Sequence, residues 1–227
     1  PLDAPTPSAA LISNEPTVGI NLHSLIGYNP SSPRLQTILS RLASDAKLDS
    51  PPQATVKSFS DSVYFSYHSI GISLIFQPRE GYKLKNGMER IDLADEKLRL
   101  ASIDVYNHEA KPDDPKKSSS TSSTKPVFNA FPSYPLLVSH KGTTPMLITS
   151  ATLGKAFTNT LGEADRKGGG EGSMGIWTEW IGVGIMTEFA SDGLKAWDEG
   201  GEATWKVLTV FERGDLAGKD DDEEVIF

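Results

Sequence analysis

Glu179 and Glu188 fall on consecutive strand-like segments, Ile176–Trp180 and Gly184–Phe189, so a hairpin would set two carboxylates side by side. One such group can donate a proton while the other accepts one, as in glycoside cleavage. Only Trp177 beside them would suit a sugar. The remaining candidates for chemistry are weaker. His23, His68, His108 and His140 include no H-x-x-x-H pair, the helical spacing that lets two imidazoles share a metal ion. The chain has no cysteine, which excludes thiol catalysis, disulfides and thiolate-bound metals. It also has no G-x-S-x-G elbow for a serine nucleophile. The glycine run from Gly168 follows a helix pattern and precedes a strand pattern, the reverse of a phosphate loop, and Glu171 within it would repel phosphate. The acidic stretch Asp220–Glu224 lacks the glycine and ligand spacing of a calcium loop. No catalytic residue, metal or cofactor is therefore expected.

The elements that would position Glu179 and Glu188 belong to a pattern that occurs twice. Tyr67–Phe76 (YHSIGISLIF) aligns without a gap on Trp180–Phe189 (WIGVGIMTEF), setting Gly71 on Gly184, Ile72 on Ile185 and Phe76 on Phe189. Leu100–Asn107 then matches Trp205–Glu212 in its apolar pattern. An amphipathic helix pattern precedes each block. In the first, Ser31-Ser32-Pro33 reads as a cap with proline at the first helical position, followed by the stripe Leu35, Ile38, Leu39, Leu42. Asp49-Ser-Pro-Pro must end it. In the second, Thr149/Ser150 would cap a stripe of Leu153, Ala156, Phe157, Thr160 and Leu161, closed by Gly162. A strand-like Tyr134–His140 opens this half. Residues 77–98 read as a long loop with a short hairpin. The fold class is α+β: two tandem α-β-β-β units, each a helix on an antiparallel sheet, whose sheets can join edge to edge into one curved sheet.

The divisions follow composition. Residues 1–16 form a Pro-rich arm, 17–107 the first unit, 108–126 a Ser/Lys-rich linker, 127–213 the second unit and 214–227 an acidic tail. The linker has no apolar residue but Ala110, too little to offset the entropy of ordering it.

Period-two bookkeeping separates the faces of the sheet. The core set is Val63, Phe65, Tyr67, Ile72, Leu74, Phe76, Ile103 and Val105, then Ile176, Thr178, Trp180, Ile185, Phe189, Leu208 and Val210. The opposite face carries Tyr64, Ser66, Ser73, Ile75, Asp104 and Tyr106 in the first unit. In the second it carries Trp177, Glu179, Met186, Glu188, Trp205, Val207 and Phe211. Aromatic residues and Met with carboxylates between them are what interface cores contain. The binding set is accordingly Trp177, Trp205, Phe211 and Met186, extended by Tyr64 and Tyr106, with Glu179 and Glu188 supplying polar selectivity. Cover by another part of the chain is the alternative use of this face.

Charge narrows the partner. The net charge is −8, which disfavours phosphate backbones and anionic membrane surfaces. No apolar run is long enough for a membrane helix, and Pro1–Pro7 has no signal-peptide pattern. The expectation is a cytoplasmic, non-enzymatic protein-binding module (adaptor, inhibitor or assembly subunit), its partner another protein rather than nucleic acid, with no membrane insertion. A carrier of a small or lipid-like ligand on the same face, and a hydrolase with dispersed carboxylates, are the alternatives. Val225-Ile-Phe227 also resembles a peptide that a PDZ-type groove would capture.

One resemblance rests on short motifs. A helix ending in Leu161-Gly162-Glu163, a glycine-rich connector and a hairpin with W-x-E-W from Trp177 to Trp180 resemble the helix-plus-antiparallel-sheet unit of the BamE outer-membrane lipoproteins. Two such units in tandem form the β-lactamase-inhibitor-protein architecture, over roughly residues 31–107 and 148–212 here. That resemblance implies a concave sheet that binds proteins. The chain lacks the lipoprotein cysteine and the inhibitors' disulfides, and no site residue carries over.

Overall fold

A computed structural model describes residues 19–107, 127–139, 144–169, 175–189 and 200–214. The arm, the linker and the acidic tail lie outside the described residues, apart from their boundary positions. The described chain is mixed α+β and dominated by antiparallel sheet. Its first half runs through helix α1 (Pro33–Asp45) and strands β1 (Thr55–Ser58), β2 (Val63–Tyr67), β3 (Ile72–Pro78) and β4 (Leu98–Tyr106). Its second half adds β5 (Leu136–Val138), β6 (Met146–Ile148), helix α2 (Gly154–Leu161), then β7 (Arg166–Gly168), β8 (Trp177–Trp180), β9 (Ile185–Phe189) and β10 (Trp205–Phe211).

Eight strands form one sheet in the order β1-β2-β3-β4-β10-β9-β8-β7, while β5 and β6 pair separately. The last strand of each half is central, where β4 and β10 pair from Ser102↔Phe211 to Tyr106↔Val207. Each helix is followed by four strands of this sheet rather than three. The outermost, β1 and β7, escaped the sequence pattern because they are only 4 and 3 residues long. Arg166–Gly168, expected as part of a connector, is thus an edge strand paired with β8.

The alternation of the strands decides the core. Every first-half position assigned to it is buried, as are Ile176, Trp180, Ile185, Phe189, Leu208 and Val210; Thr178 is half-buried. Leu35, Leu39 and Leu42 of α1 join the same apolar cluster, each worth about 1.5–3 kcal/mol when removed from water. Phe157 brings α2 to the same side of the sheet, its ring 6.0 Å from Trp180 and 5.9 Å from Phe189.

Three local expectations are corrected. Ser32 precedes α1, with Pro33 at its start, but its hydroxyl makes no capping bond. α2 begins at Gly154, not after Thr149/Ser150, because Thr149 is tied to Thr152 in a turn of its own. Gly154 can enter close contact with the carbonyl of Gly200 and the ring of Phe189, where a side chain would collide. Of the stripe expected on α2, Phe157 is buried and Ala156 and Leu161 pack partly buried against the core, while Thr160 is exposed. Residues 79–97 contain 3-10 turns at Arg90–Asp92 and Asp95–Lys97 rather than a hairpin.

The turns at Gly71 and Gly184 are alike. Both glycines have positive φ, 60° and 76°, a conformation that side chains oppose. The carbonyl of Gly71 accepts the N–H of Tyr106, and that of Gly184 accepts the N–H of Phe211, at 3.0 and 2.9 Å.

Candidate functional site

Residues directly opposite each other in an antiparallel ladder project from the same face. Three rows cross the side of the sheet away from α2. One runs Lys57–Tyr64–Ile75–Ser102–Phe211. The next runs Ser66–Ser73–Asp104–Thr209–Met186–Glu179–Arg166. The third runs Tyr106–Val207–Glu188–Trp177–Gly168. Seven of the eight residues of the expected binding set therefore share this face: Tyr64, Tyr106, Trp177, Glu179, Met186, Glu188 and Phe211. All seven are half-buried.

Trp205 is the exception and corrects the face assignment. It is fully buried, and its indole N–H donates to the carbonyl of Thr149 at 2.8 Å. The cause is a bulge. Val207 pairs with Glu188 but Trp205 pairs with Phe189, so Lys206 is an extra residue in β10. One extra residue inverts the alternation beyond it. Strand β4 does the same at Ala101, because Ile75 pairs with Ser102 and Phe76 with Leu100. Leu100, too, is buried. The internal alignment sets Trp205 opposite Leu100, a signal that period-two counting across the strand overlooks.

The two ends of the face are dressed differently. In the first half, Phe128 stacks on Tyr106 with centroids 3.8 Å apart and 9° between planes. Phe59 meets Tyr64 edge-on at 5.7 Å. In the second half no aromatic ring among the described residues packs on Trp177 or Phe211. Trp177 instead lies across Gly168, where even a methyl group would come within 2.7 Å of the indole. Phe128 was missed by sequence reasoning because it follows the polar linker outside any periodic pattern.

The middle of the face is polar. The hydroxyls of Ser66 and Ser73 are 3.1 Å apart, and Thr209 donates to Asp104 at 2.8 Å. Burial pushes the Asp104 carboxyl up to about 6, against the Thr209 hydrogen bond and with the help of the Glu188 charge. Burial also raises the Tyr106 phenol. Glu179 meets Arg166 at 3.6 Å, whereas Asp104 and Glu188 form no ion pair among the described residues. Glu179 and Glu188 are diagonal neighbours on an open sheet surface. Grooves of about 470 and 600 Å³ lie elsewhere, at the β1 edge and beside α2.

No family model matches this chain. Searches of curated proteins and of solved structures also return no match. Among the described residues, no cluster of three or more His, Asp or Glu could hold a metal ion. None of their helices is long and apolar enough to cross a membrane.

Proposed function

We propose that this chain is a non-enzymatic protein-binding module and that its binding surface is the second-half end of the sheet face. One observation carries the reading: Trp177, Met186, Val207 and Phe211 share a half-exposed surface on which no described aromatic ring packs. Such apolar and aromatic groups gain most from a protein partner. Glu179 and Glu188 sit in the same rows and would select the partner's polar groups. Tyr64 and Tyr106 extend the surface, though Phe59 and Phe128 already occupy part of them. Trp205 is no part of it; it secures the strand that presents Val207 and Phe211.

The tandem-repeat reading supports this function. The shared geometry of Gly71 and Gly184 and the matched bulges at Ala101 and Lys206 are what two copies of one α-β-β-β-β unit would show. Two such units joined through β4 and β10 resemble the β-lactamase-inhibitor-protein architecture, in which a sheet serves as a docking platform.

A photo-cross-linking amino acid in place of Met186 tests the proposal. A specific cross-linked protein, lost when Trp177→Ala is added to a chain that still folds, is the expected result. Labelling that is absent, or unaffected by Trp177→Ala, would remove this surface from the account.

A further inference from the structure

The free edge at β1 offers a second kind of contact. Strand β1 ends the eight-stranded order, so its outer side faces no other strand among the described residues. The hairpin closes with the N–H of Phe59 donating to the carbonyl of Ser62, and the pairs alternate from there. Phe59 and Lys57 therefore aim their backbone groups at β2, while Ser58 and Val56 aim theirs outward. The N–H of Gly87 uses the outward carbonyl of Ser58 at 3.0 Å, and the Ser58 hydroxyl donates to the carbonyl of Lys85 at 2.7 Å. Residues 85–87 thus close one end of the edge. The outward N–H and C=O of Val56 have no such cover among the described residues.

A groove of about 470 Å³ runs beside this open stretch, lined by Val56, Phe59, Met88 and Arg90. Phe59 is 46% exposed, one of the few large apolar side chains so open. The charge around it runs against the chain's net −8. Lys57 and Lys85 are exposed and form no ion pair among the described residues. Arg90 is held by both oxygens of Asp95, at 2.7 and 2.6 Å. Glu89 is the acid of the groove wall.

We infer that the β1 edge accepts an extended segment of another protein as an added strand, and that this segment alternates acidic with apolar side chains. The alternation follows from the pleat. Successive side chains of an added strand point to opposite faces. Those on the core side enter the groove against Val56 and Met88, and those on the other side lie beside the Lys57 ammonium. Main-chain bonds to Val56 give the segment its register. The edge adjoins Tyr64 through Phe59 but lies across the sheet from Trp177 and Met186, so the Trp177 surface and the β1 edge can fail independently.

The test is an amide-resonance titration of the full chain with two blocked peptides, Asp-Val-Glu-Val-Asp-Val and Lys-Val-Lys-Val-Lys-Val. The acidic peptide should shift residues 54–59 and Met88 saturably and slow hydrogen exchange at the Val56 amide. The basic peptide should bind at least tenfold more weakly, and Lys57→Glu should reverse that order. Val56→Pro, which removes the outward N–H at an edge position that tolerates proline, should abolish binding of both. Equal binding of the two peptides, shifts confined to the Trp177–Phe211 surface, or no binding would overturn the proposal. So would a Val56 amide already protected in the free chain, either by the chain's own Asp220–Phe227 or by a second copy, since the edge would then be taken.

Discussion

The halves of the sheet share a chain path and differ in what covers their outer face. In the first, Tyr106 lies under Phe128 and Tyr64 against Phe59. In the second, Trp177 rests on a glycine and Phe211 has no described ring partner. The same run of four antiparallel strands thus carries different outer residues in the two halves, because those positions do little to determine the fold. The buried positions do determine it, and there the halves agree: Leu100 and Trp205 both turn inward at a bulge. The contrast predicts separable effects of substitution.

The largest effect should come from Trp205→Ala. Removing a fully buried indole costs about 3–5 kcal/mol, and here it also leaves the carbonyl of Thr149 without its donor. Trp177→Ala on the open face should cost less than about 1.5 kcal/mol. Denaturant unfolding of both variants checks the difference, and equal costs would break the assignment of the two tryptophans to opposite faces.

Gly71→Ala and Gly184→Ala should each destabilise by about 1–3 kcal/mol. A Cβ at Gly71 would strike the backbone of Asn129 and Phe131, and one at Gly184 the carbonyl of Phe211. Similar losses by thermal unfolding would sharpen the equivalence of the two turns. A cost at only one would argue that the turns are alike by coincidence.

Where β4 joins β10, charge rather than packing should set the result. The folded state raises the Asp104 carboxyl from 3.8 to about 6, so folding favours its protonated form. Wild-type stability should therefore fall as pH rises from about 4 to about 6 and stay reduced above that. Asp104→Asn keeps an acceptor for Thr209 and removes the charge. It should stabilise the chain by about 2–3 kcal/mol at pH 7.5 and by under about 1 kcal/mol at pH 4. Unfolding curves at both pH values read the difference, and a pH-independent gain would contradict the burial argument.

The smallest effect concerns the edge of the second half. Gly168→Ala should lift the Trp177 indole from its seat and shift its emission to longer wavelength, with a stability change under about 1 kcal/mol. An unchanged spectrum would mean that Trp177 does not rest on Gly168.

Much of this contrast was legible in the sequence. Alternation identified the buried side of β2, β3, β9 and the Ser102–Tyr106 stretch of β4, where the pairing register keeps period two. It failed at Trp205 because the bulge at Lys206 changes the parity without leaving a proline or glycine to mark it. Strands β1 and β7 are too short for any period to emerge, and Arg166–Gly168 looks like a loop by composition. Phe128 becomes an aromatic cover through a long-range return of the chain, which local pattern cannot foresee. The seven residues that share the outer face were found by the same alternation, and the role proposed for them rests on their chemistry.

The central claim is that the second-half surface, and not its first-half counterpart, holds a protein partner. Two folded double variants test it in one affinity-capture experiment: Trp177→Ala/Phe211→Ala and Tyr64→Ala/Tyr106→Ala, each compared with wild type by quantitative mass spectrometry. The account predicts that a partner retained by wild type is lost, by tenfold or more, from the first variant and largely kept by the second. Retention by both variants, or loss from the tyrosine variant alone, would contradict it.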